Sequence, residues 1–268
     1  CRIIGITFDG GDDASANTTS YFIDIADKDG VRIEGCKFDA MGNRPVNIHA
    51  GNGIWIERCE FTNLRQEDGE CAIGIFSNDG NTATSSDIHI IHCRFVNADI
   101  DSDGVAAVII QGATGLQVRD VFIDNCYFEY MGRSVAATGP RGDIDIYNDV
   151  IGLHITNCTS VNSAHSFVKG NDGQDIQITN NTVRNPAQNG IIWQRRYGNT
   201  RNARITIMGN QIYSPAVRGI YVLGADDGDT GDYVQHLVIA DNIIQDPAYA
   251  GIRARYWMDI AVTGNIVY

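Results

Sequence analysis

Ile33-Glu34-Gly35-Cys36-Lys37-Phe38, Ile56-Glu57-Arg58-Cys59-Glu60-Phe61, Ile90-Ile91-His92-Cys93-Arg94-Phe95 and Ile123-Asp124-Asn125-Cys126-Tyr127-Phe128 are one phrase written four times. A fifth copy is Ile155-Thr156-Asn157-Cys158-Thr159-Ser160, and the phrase then continues with Asn181, Asn210, Asn242 and Asn265 in place of Cys. Ile3 to Phe8 is an earlier copy, with Ile6 at the ladder position. Successive ladder positions are 23 to 34 residues apart, so the chain repeats itself about ten times with a variable insert. Self-similarity at that period is the signature of a solenoid. Within each copy the apolar residues alternate with the strand period of two, the inserts are rich in Gly, Asn and Asp, and no copy has a helical stripe. Coils stacked about 4.8 Å apart place the same position of each coil over its neighbour, which makes the Cys and Asn positions inward ladders. Asn amides stacked in this way can hydrogen-bond along the ladder, and Cys acts there as a small hydrophobe.

The rest of the composition is consistent with this. Seven cysteines, at positions 1, 36, 59, 71, 93, 126 and 158, are an odd number without a Cys-x-x-Cys pair, which fits neither a zinc site nor a disulfide framework. The 268 residues carry 20 Lys plus Arg against 33 Asp plus Glu, a net charge of −13, with 43% hydrophobic residues. That balance argues against a nucleic-acid binder that works through phosphate contacts, and no apolar run is long enough for a membrane helix. The sequence opens at Cys1 in strand-like residues, so a fragment without terminal caps, forming a single domain over 1–268, is the expectation.

The repeated phrase resembles the right-handed parallel β-helix of the pectin-lyase-like superfamily, and the resemblance covers essentially the whole chain. It is most like bacteriophage tailspike depolymerases and related polysaccharide-active enzymes. The resemblance implies an all-β solenoid of about ten coils and a polysaccharide partner. Its tailspike members imply a homotrimer and a place on a virion tail or outside the cell. Buried reduced cysteines suit assembly in a reducing cytoplasm. The site patterns of polygalacturonases (Asn-Thr-Asp, Gly-His-Gly, Arg-Ile-Lys) and of alginate epimerases (Asp-Pro-His-Glu) are missing, which disfavours those two activities.

A second strand recurs after a turn in the later coils and aligns by its first inward residue: Val46, Ile73, Val108, Ile144, Phe167, Ile191, Ile220 and Ile252. Its outward places carry aromatic, amide and charged residues, among them Asp145, Tyr147, Gln194, Tyr221, Arg253 and Arg255, a mixture suited to a sugar groove. Five places along, the alignment puts Asp149 and Asp172 on adjacent coils, with Arg196 and Trp257 in the same column. Two carboxylates about one rung apart match the roughly 5 to 5.5 Å of a retaining glycosidase, and Asp145 is a third catalytic candidate. Both acids also read as plain turn formers. Arg195, Arg196, Arg253 and Arg255 lie in a cationic C-terminal region. A lyase acting on a uronate would draw its base from Lys169 or an arginine.

Asp99, Asp101 and Asp103 open like a calcium loop, but Ile110 stands where that motif needs Glu, so a partial calcium site is the most this stretch supports. No nucleotide-binding loop or nucleophile elbow occurs, and no cofactor is required. The expected function is polysaccharide recognition and depolymerisation by the carboxylate pair. A uronate lyase and a non-catalytic glycan-binding adhesin or tail protein are the alternatives.

Overall fold

The structure is a computed structural model describing residues 1–10, 21–40, 44–64, 71–77, 84–96, 105–113, 115–132, 141–194, 204–224, 236–257 and 259–268. Among these residues every element is a strand, and the strands form three wholly parallel sheets of ten, ten and nine. Each strand pairs with the strand three places along the chain, so one coil contributes one strand to each sheet. The first sheet runs from Arg2–Ile4 to Ile260–Thr263, the second from Thr7–Asp9 to Ile266–Val267, and the third from Ile23–Ala26 to Ala250–Arg255. This is the parallel β-helix, with ten coils.

Local chemistry explains why each coil bends where it does. The residue before the ladder position links the first sheet to the second, and it has positive φ in coil after coil: Gly35, Arg58, His92, Asn125, Asn157, Asn180, Gly209, Asp241 and Gly264. Gly, Asn and Asp tolerate that left-handed conformation best, which is why they recur there. The ladders follow. Cys36, Cys59, Cys93, Cys126 and Cys158 are buried, and each thiol lies over the carbonyl of a residue in the preceding coil, as Cys93 Sγ does at 3.5 Å from Ile56 O. Asn181, Asn210 and Asn242 continue the column as a chain of amide-to-amide hydrogen bonds: Asn181 Nδ2 donates to Asn210 Oδ1 at 3.0 Å, and Asn210 Nδ2 to Asn242 Oδ1 at 2.9 Å. Each amide also donates to a carbonyl one coil back, so the buried groups are satisfied.

The second sheet stacks Phe8, Phe38, Phe61, Phe95 and Phe128 at ring-centroid spacings of 4.7 to 5.1 Å, with ring planes almost parallel. Ser160 takes the next place in that column, and Phe167 fills the space with a tilted contact to Phe128 at 5.8 Å. That substitution changes the register of the third sheet. Ile144 pairs with Val168, not with Phe167 as the sequence alignment has it, because Phe167 turns into the core at the corner before the strand. Gly170 therefore faces inward, where a Cβ would lie 2.2 Å from the Trp193 ring, and Trp193 occupies the room it leaves.

Candidate functional site

The corrected register redraws the outward columns of the third sheet. One column reads Ile109, Asp145, Lys169, Ile192, Tyr221 and Arg253. In the other, Gln111 pairs with Tyr147, and Asn171 leads on to Gln194, Leu223 and Arg255. Counting on from the Ile146–Gly170 pair brings Asp172 level with Asn148, and both have φ of 51°. Asp149 and Asp172 thus do not share a column as the sequence alignment placed them. Asp172 sits at the left-handed corner of its coil, where its N–H donates to Gln194 O at 3.4 Å. Asp149 follows the equivalent corner, is buried, and turns its carbonyl toward Val118 N.

Asp145 is the centre of the face. Its side chain is wholly buried although it points away from the core. Tyr147 Oη donates to Oδ2 at 2.6 Å, the Gly142 N–H donates to Oδ1 at 3.0 Å, and Arg141 Nη1 lies 3.4 Å from Oδ2. Arg141 Nη1 also donates to Tyr147 Oη at 2.6 Å. Lys169, opposite Asp145 on the next coil, holds its ammonium 5.7 Å from the centre of the Tyr147 ring. Burial raises the pKa of Asp145, and Lys169, the Tyr147 hydroxyl, the Gly142 N–H and Arg141 oppose the rise without cancelling it. Burial and the neighbouring carboxylate push the Tyr147 hydroxyl well up, keeping it a donor.

Polar groups without a protein partner lie beside this network: Ser166 Oγ, both amide atoms of Asn171, and Asn189 Oδ1, all buried. Each such group costs about 1–3 kcal/mol unless water or a ligand completes it. On the N-terminal side the face is apolar, with Cys71, Phe76, Ala106 and Ile109 packed together against Tyr147. Beyond them Arg44 Nη1 donates to Asn47 Oδ1 at 2.7 Å, Asn47 Nδ2 donates to Asp24 at 2.9 Å, and Arg44 lies 4.4 Å above the Phe76 ring. On the C-terminal side Tyr221 is held between Arg218 and Arg253, at 4.7 and 5.8 Å.

The structure therefore brings Asp145, Tyr147 and Lys169 into one cluster and spreads Gln194, Tyr221, Arg253 and Arg255 over the next three coils. Trp257, partly buried, packs against the main core. Arg195, Arg196, Asp99, Asp101 and Asp103 lie outside the described residues. Among the described residues no group of three or more His, Cys, Asp or Glu could hold a metal, and no helix is long and apolar enough to cross a membrane. Sequence reasoning missed Arg141, which lies before the strand, and Asn171, hidden by the one-residue slip at Phe167.

No family model and no curated protein matches the sequence. Solved structures do. An exopolygalacturonase from Thermotoga maritima is 15% identical, over 92% of this chain and 54% of that one, with a TM-score of 0.55. A tailspike protein of E. coli bacteriophage HK620 is 13% identical, over 90% and 45%, at 0.59. The periplasmic alginate epimerase AlgG is 13% identical, over 98% and 61%, at 0.63. The fold is the right-handed parallel β-helix. The chain spans from under half to about three fifths of the length of these neighbours.

Proposed function

We propose that the outward face of the third sheet binds a polysaccharide and cleaves it by hydrolysis, with Asp145 as the proton donor. The observation that carries this reading is a carboxyl group buried on an outward face, with a raised pKa and both oxygens held in place. An acid catalyst for glycoside cleavage needs those properties. Asp145 delivers its proton to the glycosidic oxygen as the C–O bond breaks, and the bond's electron pair stays on that oxygen. Asp149 or Asp172 takes a proton from the attacking water, or attacks the sugar carbon to form a glycosyl ester that water then hydrolyses, Asp145 taking that water's proton and the carboxylate leaving. The half-buried Gln194, Tyr221 and Arg253 and the exposed Arg255, which run along the same face, meet the sugar's rings and hydroxyls. The polysaccharide-active proteins among the structural neighbours support the substrate class.

A lyase reading draws support from one contact. Lys169 faces Asp145 in register beside Tyr147, so it could remove a proton next to a uronate carboxylate that Arg141 neutralises. A homotrimer on a virion tail or outside the cell, as the resemblance to tailspikes implies, is the proposed setting, and sedimentation equilibrium tests the trimer. The test of chemistry is a panel of acidic and neutral polysaccharides, reading new reducing ends and the ultraviolet absorbance of unsaturated sugar in the same tubes. Reducing ends without absorbance, lost in Asp145→Asn, support hydrolysis. Absorbance lost in Lys169→Ala supports the lyase. Binding without either product makes the face a glycan-binding surface only.

A further inference from the structure

The outer face of the first sheet has a feature that the reaction at Asp145 does not use. One outward column there is Arg2, Arg32, Trp55, His89, Phe122 and His154 on successive coils. The four rings stack face to face along the helix axis, with centroids 3.9, 4.8 and 4.9 Å apart and planes within 16°. His89 covers one face of Trp55. Arg32, which precedes Trp55 in the column, is drawn aside by Glu34 and Glu57, and Trp55 remains 37% exposed. A cleft of about 410 Å³ opens beside it, lined by Arg2, Gly30, Val31, Arg32, Gly53 and Trp55.

Three features of the cleft point to one kind of ligand. Gly30 and Gly53 have φ of +64° and +65°, a conformation that selects glycine, and no atom stands within 4 Å of where a Gly30 Cβ would be, so that wall is open. An indole with one ring face turned to a cleft offers the flat apolar surface on which a sugar ring lies. Both charged residues of the lining are arginines; Glu34 Oε2 bridges them, 3.3 Å from Arg2 and 3.1 Å from Arg32, Glu57 takes a further Arg32 N–H, and each guanidinium keeps other donors. We propose that this cleft is a second, non-catalytic sugar site, in which a sugar ring bearing a carboxylate or sulfate lies on Trp55 with its anionic group on the guanidinium N–H groups of Arg2 and Arg32 that Glu34 and Glu57 do not take. A polymer held there is anchored to a different face from the one that carries Asp145.

The test is fluorine NMR of the chain labelled with 5-fluorotryptophan. Trp55, Trp193 and Trp257 are its three tryptophans, and Trp55→Phe assigns the first resonance. Titration with glucuronate and with glucose 6-sulfate should move the Trp55 resonance saturably, leave that of the buried Trp193 in place, and give about tenfold tighter binding than glucose, one charge-assisted hydrogen bond being worth about that factor. Arg32→Gln should weaken the response about tenfold as well, and Arg2→Gln, which leaves the Arg32 pairs intact, serves where Arg32→Gln disturbs Trp193. A response to one anionic sugar and not the other identifies the anion. A Trp55 resonance that neither anionic sugar moves, or that glucose moves equally, overturns the proposal. The readout involves no turnover, so failure of the reaction at Asp145 leaves this site standing, and failure here leaves that reaction untouched.

Discussion

The outer faces of the first and third sheets are built on the same scaffold and treat charge in opposite ways. On the first sheet Glu34 is shared by Arg2, Arg32 and Arg58, whose side chains are 62, 39 and 55% exposed. Such pairs cost little to keep and contribute little, because water screens them. On the third sheet Asp145 is wholly buried and tied to Tyr147, Arg141 and a backbone N–H. Burying a carboxylate carries a desolvation penalty that an ion pair rarely repays in full, so this network is poorly explained as a stabilising device. A costly charge cluster on an outward face, beside polar groups left without partners, is better explained by what it does to a ligand. The largest test of the contrast is turnover. Asp145→Asn keeps the shape and the acceptor for Gly142 but removes the proton, and kcat should fall by about 10²–10⁴-fold while circular dichroism stays that of the folded chain.

The contrast also explains what could be read in advance. The inward positions repeat because every coil meets an identical neighbour, so Cys36 to Cys158, Asn181 to Asn265 and the phenylalanine stack announce the fold by periodicity alone. Outward positions have no such requirement. Asp145 and Tyr147 could be named from strand parity and Lys169 only as a possible base, since the alignment on Phe167 turned it inward; their contacts could not be read, because Arg141 reaches in from before the strand. The pairing of Asp149 with Asp172 failed at a single residue. Two apolar residues in a row, Phe167 and Val168, allow two alignments, and only packing at the corner, where Phe167 takes over from the column that Ser160 interrupts, selects the second. One residue of slip exchanges the two faces of a strand.

The same corner gives the next effect. Gly170→Ala puts a methyl 2.2 Å from the Trp193 ring, so the indole or the backbone must shift. Overpacking of this kind should cost about 1–3 kcal/mol in urea unfolding. If the alternative register held, Gly170 would face outward and the change would be nearly neutral, which makes the variant a direct measure of the slip.

A subtler effect comes from the polar interior beneath that corner. Burial pushes Asp143 up to about 7, against the opposing hydrogen bond from Ser160, and pushes His165 down to about 4, with Lys169 adding to the shift. The signs are opposite. Protonated Asp143 stabilises the fold at low pH and loses that contribution as pH rises from its ordinary 3.8 through about 7. Neutral His165 stabilises above its ordinary 6.5 and loses its contribution as pH falls from there through about 4. Between those limits the two slopes offset each other. Asp143→Asn removes one of them, so its thermal midpoint, followed from pH 4 to 6.5, should rise with pH more steeply than that of the unaltered chain. Parallel curves would show that Asp143 keeps an ordinary carboxylate pKa in the fold.

The smallest expected effect tests the other side of the comparison. Arg58, with Arg32 and Arg2, lowers the pKa of Glu34, whose side chain is 18% exposed. Its contribution is therefore present above its ordinary 4.5 and lost as pH falls from there through the lowered value. Glu34→Gln at neutral pH should leave the thermal midpoint within error at moderate salt, and any difference seen at low salt should vanish as ionic strength rises. A salt-independent loss would mean that the first sheet also carries a charge cluster of structural weight. Burial would then no longer separate the two faces, and the inference that the Asp145 network exists for a ligand would lose the contrast on which it rests.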